Sequence, residues 1–327
     1  MKLSRVLVTG GAGFIGSWLS EALVSRGALV RVLDNFQSGV TSNVNYILDS
    51  IELIKGDVRN YETVEKAVED MEFIYHLAAN ASVPASTNDP EYDFGANALG
   101  TFNVLKAACE KGNDPVMIYA SSAAVYGEPS YVPIDESHPL NPISFYGASK
   151  VAGEAYCKAF HHIHGLKTVI LRLFNTYGPR QPRYVMYDLL RKLNQNPSRL
   201  QILGTGEQKR DFTYVTDCVN AFLLAVEKPN AIGKTINIGT GLEITIRQIA
   251  DMILELLGLT GTTEVTYSGE SWKGDVKHLL ADNRLSRELL GYNPKITIET
   301  GLKNLIMWYN NYKQRDTISF SSLKKIM

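Results

Sequence analysis

The run Tyr146-Gly147-Ala148-Ser149-Lys150 sets a phenol and an amine four positions apart. On a helix two such side chains share one face, one turn apart. A free phenol titrates near a pKa of about 10, too high for a base at neutral pH. A neighbouring ammonium favours the phenolate and lowers that value. The pair is then suited to removing a proton from a hydroxyl. Taken alone, this spacing also fits an ordinary solvated helix face. Ser122, in Tyr119-Ala120-Ser121-Ser122-Ala123-Ala124-Val125-Tyr126-Gly127, offers a hydroxyl able to orient the reacting one. It follows an apolar run at 116–120, the edge where open α/β sheets place their sites. Ser121 reads as a structural turn serine.

A second group of residues explains what such a base would work with. Gly10, Gly13 and Gly16 lie in Val6-Leu7-Val8-Thr9-Gly10-Gly11-Ala12-Gly13-Phe14-Ile15-Gly16, between a short apolar run and a helical period. The first glycine permits a tight turn, the second lets backbone approach a pyrophosphate, and the third packs helix on sheet. Backbone N–H groups of Phe14 and Ile15 at the helix start then face phosphate charge. Asp34 closes the next apolar run, followed by Asn35. A carboxylate there accepts from ribose hydroxyls and repels a 2′-phosphate, which favours NAD over NADP. Asp57 and Val58 after the third run are expected against adenine. Ala78 and Ala79 end the fourth with small side chains that admit a dinucleotide. An oxidised nicotinamide would add to the effect of Lys150 on Tyr146.

The elements that must hold these residues are legible as alternation. Apolar runs at 5–9, 29–33, 51–55, 73–76, 116–120 and 168–173 are separated by helical periods, among them 61–69, 93–111 and 145–164. This pattern predicts βαβ units and a parallel sheet. Past residue 174 the loops gain Pro, Gly and Arg. Helical periods follow near 184–194, 216–227, 245–257, 283–290 and 298–312, with short strands near 201–203, 235–238 and 264–267. The chain is therefore predicted to be α/β, a doubly wound Rossmann sheet with a smaller α+β lobe. The expected division is a dinucleotide-binding domain at 1–174, a lobe at 175–313 and a tail at 314–327. That tail has no clear period and is expected to be mobile or a partner-contacting strand.

Composition limits the partners. The 327 residues include 33 Lys plus Arg and 34 Asp plus Glu, a net charge of −1. Neither nucleic acid nor an anionic membrane is an expected partner. No apolar run reaches the length of about 18 residues needed to span a bilayer, and no signal peptide is evident. Cys109, Cys157 and Cys218 are few, distant and odd in number, which predicts a reducing, cytoplasmic compartment. His161, His162 and His164 lack acidic or Cys partners at ligand spacing, so no metal is expected.

Together these motifs resemble the extended short-chain dehydrogenase/reductase family, the nucleotide-sugar epimerases and dehydratases. The resemblance spans roughly 4–312. Its marks are Thr9–Gly16, His76-Leu77-Ala78-Ala79, Asn97–Val104, Ser121–Gly127, Tyr146–Lys150, Arg172–Pro179, Arg210–Asp217 and Gly274-Asp275-Val276. It implies that Tyr146 takes the proton of a sugar 4-hydroxyl while hydride passes from C4 to NAD+, with Ser122 as the family's Ser/Thr and Asn97 on the cofactor side. It implies that Asn175 and Arg210 meet the substrate diphosphate and Asp275 the nucleotide ribose. The family's dehydratases carry Asp-Glu where this chain has Ala123-Ala124, and its decarboxylases a Glu at the second of those positions. Methyl groups transfer no protons, which leaves 4-epimerisation, with a UDP-hexose of the glucose/galactose type as the expected substrate. A net reductase or dehydrogenase and a non-catalytic NAD sensor are the rival readings. A phosphate-binding Arg of the family is replaced by Trp272, with Lys273, Lys277 or Arg183 as candidate substitutes. Leu279 matches a position that gates acetamido sugars. The family's dimer pairs the helices near 93–111 and 145–164, so a homodimer is expected.

Overall fold

The computed structural model describes residues 4–271 and 274–323, with side chains described as far as residue 311 in the last helix. Seven strands form one parallel sheet: β1 (Arg5–Thr9), β2 (Leu29–Asp34), β3 (Ile51–Lys55), β4 (Phe73–His76), β5 (Val116–Ser122), β6 (Lys167–Leu173) and β7 (Thr235–Ile238). Their spatial order is β7-β6-β5-β4-β1-β2-β3. The order reverses between β1 and β4, and a doubly wound sheet opens its crevice there. The expected α/β class is the class found.

Alternation along β1 decides which helices cover which face. Val6 and Val8 point into one core with Leu19 and Phe222. Leu7 points into the other with Val104 and Met117. All three are fully buried, as parallel strands covered on both faces must be. The first face carries α1 (Phe14–Ser25), and the second α2 (Tyr61–Val68). Next in the chain come α3 (Val83–Asn88), α4 (Pro90–Asp93), a π-helical turn at Phe94–Leu99, and α5 (Gly100–Lys111). The helix expected over 93–111 is thus one path with a π-helical first part. Single π turns are uncommon and frequently adjoin functional sites. The next helix, α6 (Phe145–His164), has the bounds the period predicts. Ser144 caps its start by accepting from the Gly147 N–H, and Gly165 ends it in the left-handed conformation.

The smaller lobe holds α7 (Tyr184–Gln195) and α9 (Ile246–Leu256) around a core that includes Leu189, Ile249 and Leu302. Its strands are short. Arg199–Ile202 pairs with Glu264–Tyr267, and Lys209–Arg210 pairs with both Ile244–Thr245 and His278–Leu279. Between these helices in the chain, α8 (Val215–Glu227) packs on α1. After α10 (Arg284–Leu290), the last helix is α11 (Ile298–Leu323).

Two expectations differ from the structure. The strand at 235–238, assigned to the second lobe, is the edge of the main sheet, paired with β6. The lobes therefore interleave beyond residue 174, because β7 and α8 return to the sheet. The stretch from 314 to 323 continues α11 rather than forming a strand. No Gly or Pro follows Gly301 to stop that helix, and its polar sequence gave no period to read.

Candidate active site

One cleft of about 1050 Å³ runs over the carboxyl ends of β1, β2, β4 and β5 and into the smaller lobe. At one end is the turn joining β1 to α1. Gly10 has φ +70° and its N–H donates to the Leu33 carbonyl at 2.7 Å. Gly13 is the N-cap of α1 with no side chain to cap it, and no acidic residue occupies the first turn. The orphan N–H groups and positive dipole end therefore remain for an anion. Gly10, Gly13, Phe14, Ile15 and Gly16 all line the cleft.

Asp34 lies at the end of β2 and is 6% exposed. Its carboxylate accepts from the Ala12 N–H at 2.9 Å and the Phe36 N–H at 2.8 Å. Burial raises its pKa, and these backbone donors oppose the rise. Asn35 donates to Asp57 at 2.8 Å, and Arg59 grips the same carboxylate at 2.9 Å. Burial works against ionisation of Asp57, but Arg59 and Asn35 outweigh it and hold the carboxyl down to about 2. Asn35, Asp57, Val58, Ala78 and Ala79 line the cleft as expected.

Asn97 does not. It is fully buried behind the wall, its amide donating to Asp93 and Ser149 at 3.0 Å each. Its carbonyl oxygen accepts from the Asn80 N–H at 2.7 Å. It stands behind the lining and braces Asn80, which lines the cleft.

Ser122, Tyr146 and Lys150 meet in the middle of the cleft. Ser122 ends β5, accepts from the Ala124 N–H at 3.2 Å and stands beside the Tyr146 phenol in the cleft. Lys150 is buried, donates to the Ala120 carbonyl at 2.8 Å, and has its Nζ 5.9 Å from the Tyr146 ring centre. The expected lowering of Tyr146 by Lys150 is not the dominant effect here. Burial pushes the phenol upward and the Tyr184 phenol adds to that, while Ser122 pulls the other way. Burial also pushes Lys150 down to about 8, against the charge of Asp93. These residues can hold a proton, share it between hydroxyls and orient a third hydroxyl. Ala123 and Ala124 border the same wall and add no acid or base.

In the smaller lobe, Asn175, Arg183, Arg210, Asp275 and Leu279 line the far end of the cleft. Arg210 and Asp275, expected separately against a ligand, are joined at 2.5 Å. Asp211 is not the partner of Arg210: it accepts from Thr240, Gly241 and Ala281 instead. Arg183 lines the cleft, whereas Lys277 is outside its lining; Trp272 and Lys273 lie outside the described residues. Tyr126 is fully buried and bonds Asn237 and Arg172, so it packs rather than lines.

Several residues here were not singled out from sequence. Arg180 stacks on Trp18 at 4.3 Å and pairs with Glu21 at 2.6 Å, tying the smaller lobe to α1. Glu154 and Arg172 form a two-pronged buried pair at 2.8 and 2.7 Å, and Ser121 donates to the same Glu at 2.6 Å. Glu154 stands four residues after Lys150, a helical spacing that was open to reading.

Comparison with known proteins agrees with this geometry. Residues 7–305 match the family described as GDP-mannose 4,6 dehydratase. A putative UDP-glucose 4-epimerase of Methanocaldococcus jannaschii is 38% identical over 94% of this chain and 98% of its own. The crystal structure of the Thermotoga maritima UDP-glucose 4-epimerase with UDP-glucose superposes with a TM-score of 0.88 at 34% identity, covering 94% of this chain and 99% of that one. The Bacillus cereus UDP-glucuronic acid 4-epimerase, solved with UDP-glucuronic acid and NAD, gives 0.85 at 32% identity over the same shares. With its doubly wound sheet, glycine turn and Ser–Tyr–Lys centre, the chain belongs to the GDP-mannose 4,6 dehydratase family, within the extended short-chain dehydrogenases/reductases.

Proposed function

We propose that this protein is an NAD-dependent 4-epimerase of a UDP-hexose, of the UDP-glucose/UDP-galactose type. The observation that carries the reading is the convergence of Ser122, Tyr146 and Lys150 on a wall where Ala123 and Ala124 offer no second acid–base pair. Proton transfer at one hydroxyl, paired with hydride transfer at its carbon, is what such a site can catalyse; water loss is not.

The glycine turn fits the cofactor on its own geometry. A Cβ on Gly13 would stand 3.1 Å from the Gly10 carbonyl, tight against the backbone of the turn that lines the cleft. Gly13, Phe14 and Ile15 would hold the pyrophosphate, and Asp34 the adenosine ribose. NAD+, when bound there, would supply the hydride acceptor and donor for the sugar C4. Tyr146 takes the proton of the 4-hydroxyl and returns it. Ser122 donates to or accepts from that same oxygen and fixes its distance to the phenol. Lys150 supplies positive charge beside the phenolate as it forms. Asn175, Arg183 and Arg210 hold the diphosphate, and Asp275 the nucleotide ribose. A guanidinium already oriented by Asp275 loses little freedom on meeting phosphate oxygens. The exposed aromatic and aliphatic residues Phe94 (64%) and Ile163 (71%) near α5 and α6 suit a homodimer. Sedimentation at micromolar concentration tests that. The three cysteines are free, which suits the reducing cytoplasm.

Incubation with UDP-glucose, UDP-N-acetylglucosamine and UDP-glucuronate, followed by product separation, tests the function. A 4-epimer of UDP-glucose is the expected product. Conversion of only one of the other two would keep the chemistry and change the substrate. No conversion of any, with NAD added, would overturn the UDP assignment.

A further inference from the structure

Behind the catalytic helix lies a carboxylate that the mechanism above does not use. Asp93, the last residue of α4, is 1% exposed. It accepts from the Ser149 hydroxyl at 2.7 Å, the Asn97 amide at 3.0 Å and the Asn80 amide at 3.3 Å. All three donors are neutral. No Lys, Arg or His forms an ion pair with it among the described residues. A buried anion without a contacting cation is costly unless an opposite charge lies near enough to act through the protein.

Lys150 follows Ser149 in the chain, and Asp93 holds the Ser149 hydroxyl. Lys150 is 3% exposed, and its one hydrogen bond goes to the Ala120 carbonyl. Its surroundings otherwise disfavour an ammonium. His76 of β4, neutral in the core, the Tyr119 ring of β5 at 4.9 Å and the Cys157 thiol of α6 offer no compensating anion at neutral pH. Glu154 of α6 is an anion, but it is engaged on both oxygens by Arg172. A carboxylate at Asp93 opposes the loss of charge on Lys150, and it also works against a phenolate at Tyr146. The second link is mechanical. Ser149 sits between Tyr146 and Lys150 in the chain, and its hydroxyl also lies 3.0 Å from the Tyr146 carbonyl. Asp93 thus reaches the first turn of α6 through Ser149, and the cleft wall through Asn80.

We propose that Asp93 is a positioning residue for the Tyr146–Lys150 pair: its buried carboxylate keeps Lys150 an ammonium and fixes the first turn of α6 through Ser149. The inference rests on the proton-transfer role assigned to Tyr146. Burial alone has already drawn Lys150 down to about 8, so loss of the opposing anion draws it lower. The ammonium is then lost from the centre as pH rises through neutrality.

The test compares Asp93→Asn and Ser149→Ala with the unaltered protein by pH profiles of kcat and by KM for UDP-glucose. In Asp93→Asn the alkaline limb of kcat should move at least one unit toward acid, kcat at pH 8 should fall about tenfold, and KM should stay within about twofold. Ser149→Ala keeps the charge and should lower kcat without moving the limb. An unmoved limb in an Asp93→Asn variant that folds overturns the proposal. A thermal-stability cycle with Lys150→Met covers a variant that folds poorly. Asp93→Asn should be less harmful, or stabilising, in the Lys150→Met background, because the stranded anion is gone. Equal harm in both backgrounds means a purely structural residue and also overturns the proposal. Failure of the epimerase reading would look different: the unaltered protein would make no epimer, while the stability cycle would still report the coupling.

Discussion

At the scale of single residues, the centre is built from groups that burial has moved away from their ordinary titration. The Tyr146 phenol is pushed up and the Lys150 amine down, so each disfavours its charged form until the other charges assemble. Tyr146→Phe removes the phenol that lines the cleft beside Ser122 and Lys150. Turnover should fall by about 10³-fold or more, while NAD affinity stays within a few-fold by fluorescence titration. Retained turnover would assign the proton to another group. Arg210→Ala should act differently. It deletes the proposed phosphate donor and leaves the half-buried Asp275 without its guanidinium at 2.5 Å, held only by Ser271 and Gln208. KM should rise at least about tenfold with kcat little changed, together with a stability loss of about 2–4 kcal/mol. Most individual residues of the centre were readable in the sequence, since Tyr146, Lys150 and the glycines sit at fixed local spacings. The Arg210–Asp275 and Asp93–Ser149 contacts were not, because they join positions far apart in the chain that only the fold brings together.

At the scale of elements, the turn between β1 and α1 separates what the fold needs from what a ligand needs. A Cβ on Gly16 would stand 2.1 Å from the Gly10 carbonyl, a backbone atom that cannot move aside. Gly16→Ala should cost at least about 3 kcal/mol, measured by urea unfolding. A Cβ on Gly13 meets only the same carbonyl at 3.1 Å. Gly13→Ala should therefore unfold within about 1 kcal/mol of the parent yet lose NAD affinity by about tenfold or more. Equal losses of stability in the two variants would contradict this division of roles. The end of β4 carries a pH dependence of its own. His76 is fully buried between Thr9 at 2.7 Å and Thr101 at 3.0 Å, and burial, with Lys150 adding, pushes it down to about 3. The unfolded chain binds a proton below about 6.5 that the folded chain refuses. Stability should therefore fall as pH drops from that value toward 3, by about 2 kcal/mol between pH 6.5 and 5. His76→Gln should flatten this slope in urea unfolding. The strands and helices of the sheet were legible as alternation, since buried parallel strands must be continuously apolar. The extension of α11 to Leu323 was not, because a polar helix carries no periodic signal.

At the scale of the whole molecule, one cleft runs from the glycine turn to the Arg210–Asp275 pair, with Ser122, Tyr146 and Lys150 between them. Arg180 ties the smaller lobe to α1, and β7 stitches the later chain into the sheet. A boundary at residue 174 follows the change in sequence texture, yet the chain crosses back because an edge of the sheet stood open beside β6. Sequence alternation reports the order of elements, not which edge a later strand will take. This layout suits a reaction in which the sugar turns over while its nucleotide stays held, so hydrogen leaving C4 is returned to C4 without exchange with solvent. The direct measurement is conversion of UDP-glucose carrying deuterium at C4, with the isotope at C4 of the product read by mass spectrometry and NMR. UDP-galactose that keeps its deuterium, with no net reduced NAD formed, is the expected result. Product with solvent hydrogen at C4, or a released keto sugar with one reduced NAD per turnover, would contradict epimerisation by this centre.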